Sequence, residues 1–374
     1  MRILFTTDQI HLHGGIEKVM AEKANWFADV SGHEVIILTT EQNRLPACYP
    51  LSSKIVLKDI AINYNRKKSY FHPKNLRKLP FHFRQWKKAI KEINPDVLIS
   101  CNYAFDFYWI PFYFKNLPKI KEFHSSRYFE NKKRKEVGFL KGIKYRINDF
   151  IESRFTKLVV LNTDEIPFYK CSNLAVIPNP VKATGTQKAS LTNKKVIAAG
   201  RITPIKGFDT MISVWKEVVY KSPDWELHIY GQGEAMYINE LQNKISTLNL
   251  DGNVFIHPAT SRLRDEMLDS SMYLMTSNTE CYPMVLIEAL SVGLPVITFD
   301  APTGPRHIVK NNSTGFVTPY QNIQAITEKI LLLIQNNDLR KEFGTNALQD
   351  SLSFQLEQVM HYWEELFNKL KNKF

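Results

Sequence analysis

The sequence predicts an α/β protein of two doubly wound domains. Three observations predict it: a strand, glycine turn, helix, strand opening; a loss of apolar periodicity after residue 180; and a second series of short apolar runs beyond it. In the opening, Arg2–Thr6 is a run of the kind that fills a buried parallel strand, and Gly14-Gly15 ends the turn that follows. Residues 16–30 carry Val19, Met20, Trp26 and Phe27 at helical spacing, and the Val/Ile-rich stretch 33–38 returns as a strand. Asp96–Ser100 and Leu158–Leu161 repeat the signature of central strands, and Lys119–Glu122 reads as a shorter one.

The alternation stops at Ile177-Pro178-Asn179-Pro180 and the polar stretch Lys182–Lys195, a linker signal. Strands then resume at Val196–Ala199, Leu227–Tyr230, Val254–Ile256, Met272–Met275 and Pro295–Phe299, with helical segments between them. The tail from Phe354 to Phe374 places Leu356, Val359, Met360, Trp363, Leu366 and Leu370 on one face of an amphipathic helix. The predicted division is therefore a first domain over 1–180, a second over 181–353, and a C-terminal helix over 354–374 that packs back on the first. Two such domains predict a cleft lined by the carboxyl ends of both sheets.

Composition narrows the class. At 374 residues, 44% hydrophobic and 23% charged, the chain is long enough for two or three domains at ~150 residues each and is far from disordered compositions. Its four scattered cysteines (Cys48, Cys101, Cys171, Cys281) exclude a disulfide scaffold or a cysteine zinc site and point to a reducing, cytoplasmic setting. The apolar stretch at the start ends at Phe5, too short for a signal peptide. The most apolar window, Tyr103–Phe114, is broken by Asp106 and falls short of the ~20 residues that cross a bilayer.

The net charge of +12 implies an anionic partner. Ten bases and no acid lie between Arg66 and Lys91, interleaved with Tyr70, Phe71, Phe81, Phe83 and Trp86; a second run holds Lys132–Lys135, Lys141, Lys144 and Arg146. A solvated face is the plain alternative. Acid-free runs with aromatics fit better a surface that docks on anionic lipid headgroups, or on nucleic acid.

Four constellations carry candidate chemistry. Gly14-Gly15-Ile16-Glu17 starts a helix where backbone N–H groups can approach an anion, although a plain tight turn explains it equally well. Gly200-Arg201-Ile-Thr-Pro204-Ile-Lys206-Gly207 follows a strand and offers a guanidinium fork and an ammonium to a diphosphate. Glu280 and Glu288 bracket a helix start at Pro283, read as the first helical position, and are at most ~12 Å apart at 1.5 Å per residue. That span is about the length of a sugar diphosphate. His124 follows Glu122 at the end of a short strand, on the expected cleft wall.

Together these residues resemble the retaining, nucleotide-sugar-dependent glycosyltransferases of the GT-B fold, specifically family four of the bacterial surface-polysaccharide type. The likeness is strongest from Gly200 to Pro319, where the E-x7-E pair Glu280 and Glu288 follows GR-xx-P-x-KG and Gly231-x-Gly233. It is weak between Lys54 and Arg154. The resemblance implies an acceptor-binding first domain and a second domain that binds the nucleotide sugar. It implies that Gly14 and Gly15 meet the distal phosphate, Arg201 and Lys206 hold the diphosphate, and Glu280 binds the donor sugar near its anomeric centre. The N–H groups of Met284 and Val285 would cradle sugar and phosphate, with Cys281 and Tyr282 beside them in place of the usual Gly-Phe or Gly-Leu. Glu288 would take the ribose hydroxyls, His124 would contact the transferred sugar, and Phe255–Pro258, with His257, would lie by the base. Asp300–His307 resembles a TGPRE-like loop that either touches the donor or caps a helix, with His307 in place of an acid.

The implied reaction is transfer of a hexose or N-acetylhexosamine, with UDP the nucleotide on family frequency, to a glycan or lipid-linked glycan acceptor in capsule, lipopolysaccharide or similar biosynthesis. No D-x-D occurs in the sequence, so the expectation is metal-independent transfer with retained configuration and no cofactor. The sequence leaves open whether Glu280 attacks covalently or positions the sugar. The expected setting is the inner face of the plasma membrane, bound peripherally through Arg66–Lys91. The alternatives are a sugar-nucleotide epimerase of the same fold, a non-catalytic nucleic-acid-binding protein, and a catalytically dead sugar-nucleotide sensor.

Overall fold

In the computed structural model, residues 1–101, 104–136, 138–181 and 185–371 are described, the side chains of 139–141 excepted. Tyr103 of the apolar window, the Lys141 side chain, linker residues 182–184 and the last three residues of the tail lie outside them. Two compact units divide the chain: Met1–Pro180 with Leu356–Phe374, and Val181–Gln355.

The first unit runs β1 (Arg2–Thr7), α1 (Gly15–Asp29), β2 (Glu34–Thr39), β3 (Val56–Asp59), α2 (Pro73–Leu76), α3 (Leu79–Ile93), β4 (Val97–Ser100), β5 (Lys119–Glu122), α4 (Tyr128–Glu136), α5 (Phe139–Glu152), β6 (Lys157–Val160) and β7 (Leu174–Val176). Its seven parallel strands lie in the order β3-β2-β1-β4-β5-β6-β7. Side chains alternate across the sheet, so Ile3 and Phe5 enter one core with Phe27 and Ile37, while Leu4 enters the other with Ile36 and Trp86. Burial on both faces is why these strands read as unbroken apolar runs. The short edge strands β3 and β7 carry no such signal, because Val56, Leu57 and Val176 are exposed.

The second unit runs β8 (Lys195–Ala199), α6 (Phe208–Lys221), β9 (Glu226–Tyr230), α7 (Ala235–Thr247), β10 (Val254–His257), α8 (Leu263–Leu268), β11 (Met272–Met275), α9 (Met284–Ser291), β12 (Val296–Phe299), β13 (Gly315–Thr318), α10 (Ile323–Gln335) and α11 (Asn337–Ser351). Its six parallel strands are ordered β10-β9-β8-β11-β12-β13. The last helix, α12 (Leu356–Lys371), belongs to the first unit and lays Val359, Met360, Trp363 and Phe367 into the core beside α1. Among the described residues, no helix is long and apolar enough to cross a membrane.

Each sheet contains one reversal of strand order. The chain steps outward from β1 to β3 and then returns to place β4 on the other side of β1; β8, β10 and β11 repeat the move. Helices leave neighbouring strands on opposite faces at such a point, which opens a crevice at the carboxyl ends. In the second unit those ends carry the Gly200–Gly207 loop, after β8, and the Thr276–Glu280 segment, after β11.

Candidate functional site

The Gly200–Gly207 loop is held by backbone contacts that demand glycine. A Cβ on Gly231 would lie 2.0 Å from the Gly200 carbonyl, and one on Gly233 would lie 2.1 Å from that of Ile202. That close approach lets Ile202 N–H reach the Gln232 carbonyl at 2.8 Å. Pro204–Lys206 then forms one 3-10 turn, ended by Gly207 at φ +66. A side chain on Gly207 would also strike the Thr276 carbonyl at 2.1 Å. Asn278 donates to the Pro204 carbonyl at 3.0 Å, so the loops after β8 and β11 are tied together.

This turn aims Lys206 at Glu280, with Nζ 2.6 Å from Oε1 and the two side chains 24% and 10% exposed. The cation read as a diphosphate ligand and the acid read as a sugar ligand thus form one ion pair. Arg201 is exposed and makes no hydrogen bond or ion pair among the described residues. The Glu280 backbone bridges to Thr303: its N–H donates to the Pro302 carbonyl at 2.8 Å, and its carbonyl accepts from Thr303 and Gly304. The Asp300–His307 loop therefore braces Glu280, and Arg306 pairs with Asp300 through two hydrogen bonds at 2.7 and 2.5 Å.

Pro283 is a correction. It caps α9 from outside, with an extended ψ of 97, and Met284 is the first helical residue. The N–H groups of Met284 and Val285 still lie in the first turn, where no carbonyl of the helix can accept from them. Cys281 and Tyr282 are buried, and Glu288 is half-buried on the second turn of α9. Tyr273, on β11, has a hydroxyl that accepts from the Ala199 N–H and donates to the Ala199 carbonyl, both at 2.9 Å. Burial raises the Tyr273 hydroxyl far above its ordinary range, the Ala199 bond opposes this, and the charges of Glu288 and then Glu280 add to it. Tyr273 is a residue that sequence reasoning missed, because an aromatic in a central strand looks like core.

His257 ends β10 and stacks between His228 (centroids 5.1 Å apart) and Tyr230 (4.5 Å). Its Nε2 is 3.0 Å from His228 Nδ1. Burial, then His228, pushes the His257 imidazole below its usual range.

In the first unit, Gly14 caps α1 and Gly15 is its first residue. Space is open beside Gly15, whereas a Cβ on Gly14 would meet the Glu17 carboxylate at 2.1 Å. His124 follows β5, its side chain 7% exposed and its Nε2 3.2 Å from Glu122. The basic run is partly spent inside this unit. Arg66 is held by Asp8 and Glu41, Lys78 donates to the Ile62 and Asn63 carbonyls, and Trp86 is buried. These correct the reading of Arg66–Lys91 as one continuous docking face. Lys67, Lys68, Lys74, Arg77, Arg84, Lys88 and Lys91 remain exposed, with Phe71 and Phe81. Among the described residues, no group of three or more His, Cys, Asp or Glu is placed to hold a metal ion.

Residues 184–350 match the family described as Glycosyl transferases group 1, and residues 13–182 match Glycosyltransferase Family 4. An uncharacterized glycosyltransferase of Haemophilus influenzae is 28% identical over 362 residues, 94% of this chain and 95% of that one. A poly(ribitol-phosphate) alpha-N-acetylglucosaminyltransferase of Staphylococcus aureus is 30% identical over 235 residues, 62% of this chain and 47% of that protein. The structure of S. aureus TarM in complex with UDP, alpha-GlcNAc-glycerol and Fondaparinux superposes with a TM-score of 0.76 at 18% identity, covering 98% and 99% of the two chains. That likeness is one of fold.

Proposed function

This chain belongs to the glycosyltransferases, group 1 over its second half and family 4 over its first, with the GT-B fold, and from that membership we propose the reaction and the roles of its residues. The proposed reaction is metal-independent transfer of a hexose or N-acetylhexosamine from UDP to a glycan or lipid-linked acceptor of a bacterial surface polymer, with retained configuration. The observation that carries it is the Lys206–Glu280 ion pair at the strand-order reversal of the second sheet, with Arg201 exposed on the same loop as Lys206. Two bases and the first N–H groups of α9 supply positive charge where a departing diphosphate accumulates negative charge. Glu280 is assigned to the sugar hydroxyls near the anomeric centre. A carboxylate already bonded to an ammonium is a weak nucleophile, which favours a positioning role over covalent attack. Glu288 is assigned to the ribose, His257 with its ring stack to the base, and Gly15 and His124 to the distal phosphate and transferred sugar. The relatives' printed activities, poly(ribitol-phosphate) N-acetylglucosaminyl transfer among them, support the acceptor class.

A thermal-shift panel of UDP-, GDP- and ADP-sugars tests the donor. The UDP-sugar at 100 times its Kd stabilises the protein by ~2.7 kcal/mol, and GDP- or ADP-sugars do not. A response to GDP-sugars alone would overturn the UDP assignment. Transfer is expected to survive EDTA unchanged, and loss of activity restored by a divalent ion would overturn metal independence.

Membrane docking rests on the exposed bases of Lys67–Lys91 and on α5, where Ile143, Ile147 and Phe150 form an exposed stripe. Phe112 stacks on Phe150, and the Lys144 ammonium lies 5.9 Å from the Phe71 ring, so the two basic runs meet. Co-sedimentation with vesicles is expected to require anionic lipid and to weaken with salt. Equal binding to neutral vesicles refutes the basic surface as the anchor.

A further inference from the structure

Beneath His124 the first unit buries an ion pair that the proposed reaction does not use. Lys23, on α1, pairs with Glu122 at the end of β5, and the two side chains are 3% and 2% exposed. The second oxygen of Glu122 lies 3.2 Å from His124 Nε2. Cys101, after β4, also faces this carboxylate; burial, then Glu122, raises its thiol well above the ordinary value. The Lys23 ammonium lies 4.5 Å from the ring of Trp363, on α12, and 6.0 Å from Phe5. His124 Nδ1 is buried and has no hydrogen-bond partner among the described residues.

Two buried charges, with the fully buried Lys121 also close enough to act on Glu122, cost desolvation that a pair of apolar side chains would avoid. What the pair provides is a permanent acceptor beneath the imidazole. Burial works to raise the Glu122 carboxyl, but Lys23 and His124 together overcome it and hold it well below the usual carboxylate range. An ionised carboxylate has only lone pairs to offer, so the imidazole must bring its proton to Nε2. In the neutral ring Nδ1 is then a bare acceptor.

We propose that Lys23 and Glu122 are positioning residues that hold His124 as its Nε2–H tautomer, so that Nδ1 accepts a hydrogen bond from one hydroxyl of the transferred sugar. This rests on the assignment of His124 to that sugar. It predicts a specificity: a donor deoxygenated at that hydroxyl leaves a buried Nδ1 unpaired and is discriminated against.

The test uses the full chain with 15N-labelled histidine and two-bond 1H–15N correlation across the imidazole titration. His124 is expected to show a protonated Nε2 and a pyridine-type Nδ1 in its neutral form. The double variant Lys23→Leu/Glu122→Leu removes both charges without leaving one unpaired, and is expected to mix the tautomers and lower kcat/KM about tenfold, mainly through KM. A wild-type His124 protonated on Nδ1, or a double variant with unchanged tautomer and kcat/KM, overturns the proposal. His124→Ala with undiminished kcat/KM overturns instead the assignment of His124 to the sugar, whereas the tautomer spectrum reports on Lys23 and Glu122 whatever that variant does.

Discussion

Lys206→Ala and Glu280→Ala each lower kcat for sugar transfer by about a hundredfold or more, the effect of losing ~3 kcal/mol of transition-state stabilisation. The pair sits 2.6 Å apart, so removing either partner frees the other, but the consequences differ. Without Lys206, Glu280 is an unbalanced charge where a departing diphosphate accumulates negative charge. Without Glu280, Lys206 keeps its charge for the diphosphate but the sugar loses its anchor. Lys206→Ala is therefore expected to act on kcat with little change in thermal stability, and Glu280→Ala on both kcat and KM. Steady-state kinetics alongside thermal melts check this. Unchanged turnover in Lys206→Ala removes that residue from the mechanism.

Trp363→Ala destabilises the first unit by about 3–5 kcal/mol, as for other buried aromatics cut to alanine. The indole is 2% exposed, packs on Phe367 with centroids 5.9 Å apart, and lies under the Lys23 ammonium. Its loss opens a cavity between α12 and α1 and strips a buried cation of its ring. Urea unfolding followed by circular dichroism measures the shift, and Trp363→Phe is expected to recover part of it. A change below about 1 kcal/mol would show that α12 is a peripheral element.

Much of the fold was legible because parallel strands buried on both faces leave unbroken Val/Ile/Leu runs. Val196–Ala199 and Met272–Met275 are found within a residue of their predicted bounds. The edges were not legible: Val56–Asp59 and Leu174–Val176 are short and half-exposed, so pairing with a neighbouring strand, not side-chain pattern, makes them strands. At the site, the spacing of Glu280 and Glu288 and the glycines after β8 were visible as motifs. Their wiring was not. That Lys206 pairs with Glu280 depends on a left-handed Gly207 turning the loop against Thr276, a contact across 69 residues.

The basic run shows the same division. Residue types announced an excess of positive charge between Arg66 and Lys91, but Asp8 and Glu41, remote in sequence, neutralise Arg66, and Trp86 turns inward. Local order — strand, turn, helix and the acids around a helix start — follows from backbone preferences and apolar spacing, which neighbouring residues impose on one another. Which charges stay free, which carboxylate is already paired and which imidazole nitrogen is left without a partner are set by contacts between segments far apart in the chain. Burial makes those contacts decisive, because a charge removed from water must find its partner wherever the fold places one.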